Sequence, residues 1–159
     1  MSIENEHEQA LAVFNALRAN LDEHHWKYRA DEEALTIESG AQGEDLPMEL
    51  RIEVEEGRKL VILLSHQPFI VPEEKRMDMA VAVSVVNNRL VDGCFDFDFA
   101  SGHIFFRMTH SYIDSILGND LFSYMIGCSL KTIDDFNDKF MMLSTGIVSI
   151  EQFIKLVNN

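Results

Sequence analysis

Residues 71–110 read VPEEKRMDMAVAVSVVNNRLVDGCFDFDFASGHIFFRMTH, and this stretch decides the fold. Pro72 suits the first turn of a helix, where its missing N–H costs nothing, and Glu73 and Glu74 favour the positive end of the helix dipole. An apolar run from Met77 to Leu90 follows and breaks at Asp92-Gly93. Phe95-Asp96-Phe97-Asp98-Phe99 then alternates as a strand does, Ala100-Ser101-Gly102 turns the chain, and His103 to Met108 returns as a second strand. The spacing predicts a helix followed by a hairpin, with Gly93 and Gly102 at the sharp turns.

The helix carries two apolar stripes. Met79, Val83, Val86 and Leu90 form one; Met77, Ala80, Val81, Ser84 and Asn88 form the other. A helix apolar nearly all round needs two covering surfaces. A sheet supplies the first. The same helix of a second copy supplies the second, unless another helix of the same chain does. The second stripe is therefore the expected dimer or partner surface. Asn87 is expected to bond a helix-end carbonyl or a loop amide and so set how the hairpin leaves the helix. Arg89, near the negative helix end, is expected to pair with Asp92 or Asp98.

Outward from this unit, Ile3, Ala10, Leu11, Phe14, Leu17 and Leu21 mark an N-terminal helix ending near Asp22, with Glu4, Glu6 and Glu8 in its first turns. His24-His25-Trp26 supplies no metal site by itself and reads as a junction into a strand, with Trp26 and Tyr28 toward the core. Leu35 and Ile37 alternate with Thr36 and Glu38, and Ser39 to Asp45 reads as a loop. Met48, Leu50, Ile52 and Val54 alternate with Glu49, Arg51, Glu53 and Glu55, the pattern of a strand with one dry and one charged face. After the Glu56-Gly57 turn, Leu60 to Leu64 leaves neither face polar and belongs in the middle of a sheet or under a partner; His66 to Val71 leads into the central helix. Beyond the hairpin, 111–118 is a connection. Phe122, Ile126, Ile133, Phe136, Phe140 and Leu143 give a long helix capped at Gly146, and Ser149 with Gln152 gives a capping box for a last helix.

Read with its spacing, the chain presents Val71-Pro72, Asn87, Arg89-Leu90, Gly93, Phe95, Asp98, Gly102, Ile104 and Phe106-Arg107, then Thr132, Asp134-Asp135-Phe136, Gly146 and Ser149 to Gln152. This pattern resembles the YbjN family, bacterial proteins described as sensory transduction regulators, over roughly residues 26 to 157. The resemblance implies a fold similar to that of the class I type III secretion chaperones. It also implies a regulatory role, and it brings no catalytic motif with it.

The 159 residues are 47% apolar, enough for one domain over 1–159 with a real core. The net charge is −14, and residues 1–56 hold fifteen acidic against four basic side chains, or −11 of that total. Such a surface repels phosphate backbones, which excludes direct nucleic-acid binding from the expected functions. No apolar run approaches a membrane span and no charged-then-apolar leader pattern follows Met1, so the expected setting is the cytoplasm, without a membrane partner. Cys94 and Cys128 lack CxxC spacing and read as reduced, buried thiols.

No phosphate loop, dinucleotide fingerprint, nucleophile elbow or HExxH motif is present. Glu49, Glu53 and Glu55 read as a solvated face. Asp96 and Asp98 share a strand face and offer the one carboxylate pair an enzyme could use with His103, although strand alternation argues against His103 joining them. Methionine is plentiful, from Met77 to Met142, as filler for a core or for an adaptable binding surface. The expected fold is α+β: an N-terminal helix, an antiparallel sheet of five to six strands, the central helix, a β-hairpin, and C-terminal helices on one sheet face. The expected function is non-catalytic binding of a partner protein by a homodimer, with no cofactor. A secretion chaperone for an effector, or an enzyme built on Asp96 and Asp98, are the alternatives.

Overall fold

Four helices and one six-stranded antiparallel sheet make the α+β architecture of the computed structural model, which describes residues 3–115 and 117–158, with side chains from residue 6. In chain order these are α1 (Ile3–Glu23), β1 (Tyr28–Asp31), β2 (Thr36–Gln42), β3 (Pro47–Glu55), β4 (Leu60–Ile70), α2 (Arg76–Asn87), β5 (Cys94–Asp98), β6 (His103–Ser111), α3 (Asn119–Ser144) and α4 (Ile150–Asn158). The strands lie in the order β1-β2-β3-β4-β6-β5, so β4 is central, as its apolar sequence predicts. The side chains of Ile3 and Glu4, placed by sequence in the first helix, lie outside the described set, as does Ile116.

Alternation assigns the two sheet faces. Ile37, Leu50, Ile52, Val54, Val61, Leu63, Phe95, Ile104, Phe106 and Met108 point to one side and are buried. Against that side pack Phe14, Leu17 and Leu21 of α1, Met79, Val83 and Val86 of α2, and Phe122, Ile133 and Phe140 of α3. Helix α4 rests on α2 and α3, its Phe153 stacked 5.5 Å from Phe140. Phe95 is the aromatic hub. Its ring meets Phe140 at 5.0 Å, Phe106 at 5.2 Å and Phe136 at 6.1 Å, all edge-on, the arrangement that ring quadrupoles favour.

Several elements depart from the sequence reading. The stretch from Ser39 to Gln42, expected as loop, continues β2, because Ser39, Gly40, Ala41 and Gln42 pair with Leu50, Glu49, Met48 and Pro47. Ladder pairing overrides the small-residue composition there. Leu35, expected within the strand, instead closes the preceding turn at φ 50°. Strand β4 runs on to Ile70, with a register shift between His66 and Ile70 that accommodates Pro68. Its two faces also differ: Val61 and Leu63 are fully buried, whereas Leu60, Ile62 and Leu64 are only half-buried. Pro72 is not in a first α-turn. It is extended (φ −65°, ψ 153°) and precedes a 3-10 turn over Glu73–Lys75, so α2 begins at Arg76.

Local signals hold elsewhere. Gly146 adopts φ 78° after α3, and Ile147 N–H donates back to Met142 at 2.9 Å, the left-handed helix stop. Ser149 and Gln152 close a reciprocal capping box at 2.8 and 3.3 Å. Gly93 has φ 72° and Gly102 φ 81°, and a Cβ would stand 2.3 Å from the Phe106 ring at the first and 2.4 Å from the Val71 carbonyl oxygen at the second. Gly93→Val and Gly102→Val should each lower the melting temperature by several degrees, through forced positive φ plus a clash. Calorimetry on both variants checks this, and unchanged melting in both would overturn the hairpin placement.

Candidate functional site

Three features of the recognised segment are structural in geometry. The Asn87 side chain accepts from the Phe95 N–H and donates to the Phe95 carbonyl, both at 2.8 Å. It therefore occupies both outward backbone groups of one β5 residue, as a neighbouring strand would. Arg89 pairs with neither Asp92 nor Asp98; its guanidinium reaches Asn158 at 3.2 Å, because α4 lies beside the end of α2. Arg76 takes the place near the hairpin turn instead, donating to the Ala100 carbonyl at 2.8 Å.

Asp96 and Asp98 share the outer face of β5. Asp96 is bound by Arg107 at 2.7 Å, an ion pair half-open to water that raises the Arg107 pKa. The Asp98 carboxylate accepts from the Ser101 hydroxyl (2.5 Å) and from the Ala100 and Ser101 amides (3.0 and 3.4 Å). Those bonds, the hydroxyl first, hold it below the usual carboxylate range. His103 is directly opposite Asp98 across the hairpin, so the two share a face after all, because register and not spacing within one strand decides the matter. The Cys94 thiol is pushed up by burial and then by the Asp96 charge. Among the described residues no group of three or more His, Cys, Asp or Glu side chains could hold a metal ion. Asp98 is thus a turn residue in its chemistry, and Asp96 is an ion-pair partner.

The surface features are more informative. On α2, Met77 (68% exposed), Val81 (47%), Ser84 and Asn88 face outward, with Ala80 half-buried between them. The rest of α2 is covered by β5, α3 and α4 of the same chain. The second open surface is one that sequence reasoning missed. Register places Glu53, Ile62 and Thr109 in one row, and Arg29, Glu38, Arg51, Leu64, Arg107 and Cys94 in another that crosses all six strands. No described helix packs on this outer face. Near its β1–β3 side Glu38 is held between Arg29 and Arg51, and exposed Gly40 leaves the floor without a side chain. A groove of about 610 Å³ results, lined by Arg29, Glu38, Gly40, Glu49, Leu64 and His66. The sequence signal that bears on it is the run Leu60-Val61-Ile62-Leu63-Leu64, apolar on both faces, which fits a strand under a partner as well as one in the middle of a sheet.

The model of the family described as "Putative bacterial sensory transduction regulator", YbjN, matches residues 14–142. The chain belongs to the YbjN family. No curated protein matches it. Among solved structures it is similar to one described as the crystal structure of YbjN, a putative transcription regulator from E. coli. The TM-score is 0.56 at 11% identity, over 76% of this chain and 85% of that one. At that identity the likeness is one of fold. The YbjN match covers the hairpin and α2 together with the second half of α1 and nearly all of α3, so both open surfaces fall within the family region.

Two outcomes check the assigned roles. Asn87→Ala should cost about 1–3 kcal/mol, two hydrogen bonds at roughly 0.5–1.5 each, and Asn87→Asp should cost no less at neutral pH because it cannot donate to the Phe95 carbonyl. Denaturant unfolding measures both; full stability in both would make Asn87 a surface contact and not a tie. Asp98 has a depressed folded-state pKa, so its contribution is present above the ordinary carboxylate range and is lost as pH falls through the depressed value. The melting difference between the parent and Asp98→Asn should therefore narrow on acidification, and a difference independent of pH would contradict the turn role.

Proposed function

We propose that the protein is a non-catalytic regulator that works by binding another protein, as a homodimer formed on the outer stripe of α2. The observation that carries this reading is the stripe itself. Met77 and Val81 remain open after β5, α3 and α4 have covered the rest of the helix, and exposed large apolar side chains in line are costly without a partner. The family description as a sensory transduction regulator supports the same class of role.

The E. coli neighbour is described as "a putative transcription regulator". With a net charge of −14, regulation by this chain is better served by contact with a protein than by contact with DNA. Two free cysteines, and no described helix long and apolar enough to cross a membrane, are in keeping with a cytoplasmic setting. A secretion-chaperone role for an effector protein would use the same kind of surface and is the second reading, favoured by the acidic surface and small size. An enzyme built on Asp96 and Asp98 is disfavoured, since one carboxylate is spent on Arg107 and the other on the turn.

Light scattering should show a dimer for the parent chain and a monomer for Val81→Glu, which would bury an unpaired charge. A monomeric parent would remove the dimer. Affinity capture from the native cell, quantified by mass spectrometry, should enrich one protein near stoichiometry; enrichment of none would remove the binding role.

A further inference from the structure

We infer that the outer face of the sheet is a docking surface for a basic amphipathic helix of a partner protein. The inference rests on the protein-binding reading above and adds the place and the chemistry of the partner. Strand β4 is central, so Leu60, Ile62 and Leu64 form an apolar column in the middle of the sheet, half-buried by their neighbours and by nothing above them. On the neighbouring strand β6, Phe105 stands directly beside His66 and widens the apolar surface at that end, with the two rings 5.2 Å apart. From Leu60 to Leu64 the column is about 13 Å long, the length of roughly nine helical residues.

Charge selects the occupant. Strand β3 flanks the column with Glu49, Glu53 and Glu55 against a single Arg51. Arg51 is committed to Glu38 and Glu55 to Arg58, whereas Glu49 and Glu53 have no cationic partner among the described residues. Glu53 stands directly beside Ile62. A helix with apolar residues over the column and lysines or arginines along the β3 side would bury the first and neutralise the second. A second copy seated face to face here fits poorly, because it would bring the same Glu49 and Glu53 carboxylates against their counterparts. Strand addition at the β5 edge is also poorly served, since Asn87 already holds the outward groups of Phe95. A helix on the face leaves both edges untouched.

The test uses the full chain, isotopically labelled, and two synthetic helical peptides. One has leucines on one face and lysines on the flank; the other has glutamates in place of the lysines. The lysine peptide should shift the amides around Glu53, Ile62, Leu64 and Arg107, and the glutamate peptide should not bind. Glu53→Lys should weaken the lysine peptide severalfold, and its combination with Glu49→Lys by about tenfold or more, while Glu8→Lys, charge-matched to the single change and placed on α1, should alter it by less than about twofold. If the double variant fails to fold, the contrast between the two peptides and the map of shifted amides on the parent chain still decide. Shifts confined to α2, scattered shifts that Glu8→Lys weakens equally, or equal binding of both peptides would overturn the proposal. Outer-face shifts produced by raising the protein concentration alone would overturn it too, in favour of a second copy. A protein captured from cells by the chain with Glu49→Lys and Glu53→Lys as well as by the parent would leave the protein-binding role standing and remove only this surface from it.

Discussion

The paired hydrogen bonds between Asn87 and the backbone of Phe95 hold together what would otherwise be separate units. A strand at a sheet edge presents unpaired N–H and C=O groups, and one amide side chain can satisfy one of each. Asn87 does so from the last turn of α2. Because its partner is the residue whose ring meets Phe106, Phe136 and Phe140, the same tie fixes the hairpin, the sheet edge and the aromatic core. Gly93 makes the turn into β5 possible, since it adopts positive φ and a Cβ there would run into the Phe106 ring. The spacing from Asn87 through Gly93 to Phe95 is therefore a geometric requirement.

Anchoring by buried polar groups recurs on the far side of the molecule. Asn20 on α1, 2% exposed, donates to the Asn119 carbonyl and the Ser123 hydroxyl and so ties α1 to the start of α3. Tyr112, fully buried, donates to the Glu55 carbonyl at 3.0 Å, and burial followed by the neighbouring Glu56 and Glu55 charges pushes its pKa to about 12. Every described helix lies on one side of the sheet. The other side keeps only what its own side chains cover. Half-exposed Leu and Ile side chains forgo part of the roughly 1.5–3 kcal/mol that full burial of each would bring, and a partner laid on that face recovers it.

Most of the architecture was legible in the sequence because periodicity reports burial. The alternation from Met48 to Glu55 and the stripe of Phe14, Leu17 and Leu21 needed no tertiary information, and the Ser149–Gln152 box and Gly146 stop are local chemistry. What was not legible depends on pairing between distant segments. Ser39 to Gln42 has loop-like composition and is a strand only because β3 lies beside it. The partner of Arg89 could not be read because α4 is distant in sequence. His103 joins the face of Asp98 through cross-strand register, which a hairpin sequence does not specify without its turn length. The open sheet face was hidden for a similar reason. An all-apolar run looks the same whether one or both of its faces are covered.

The central claim is that the sheet has one dry face and one face open for a partner. Solvent paramagnetic relaxation of methyl resonances tests it most directly, with a soluble, uncharged gadolinium chelate added to the isolated chain. The account predicts strong broadening at Leu60, Ile62 and Leu64, and little at Val61 and Leu63 on the same strand. Equal protection of all five would mean that the outer face is already covered, and would contradict the account.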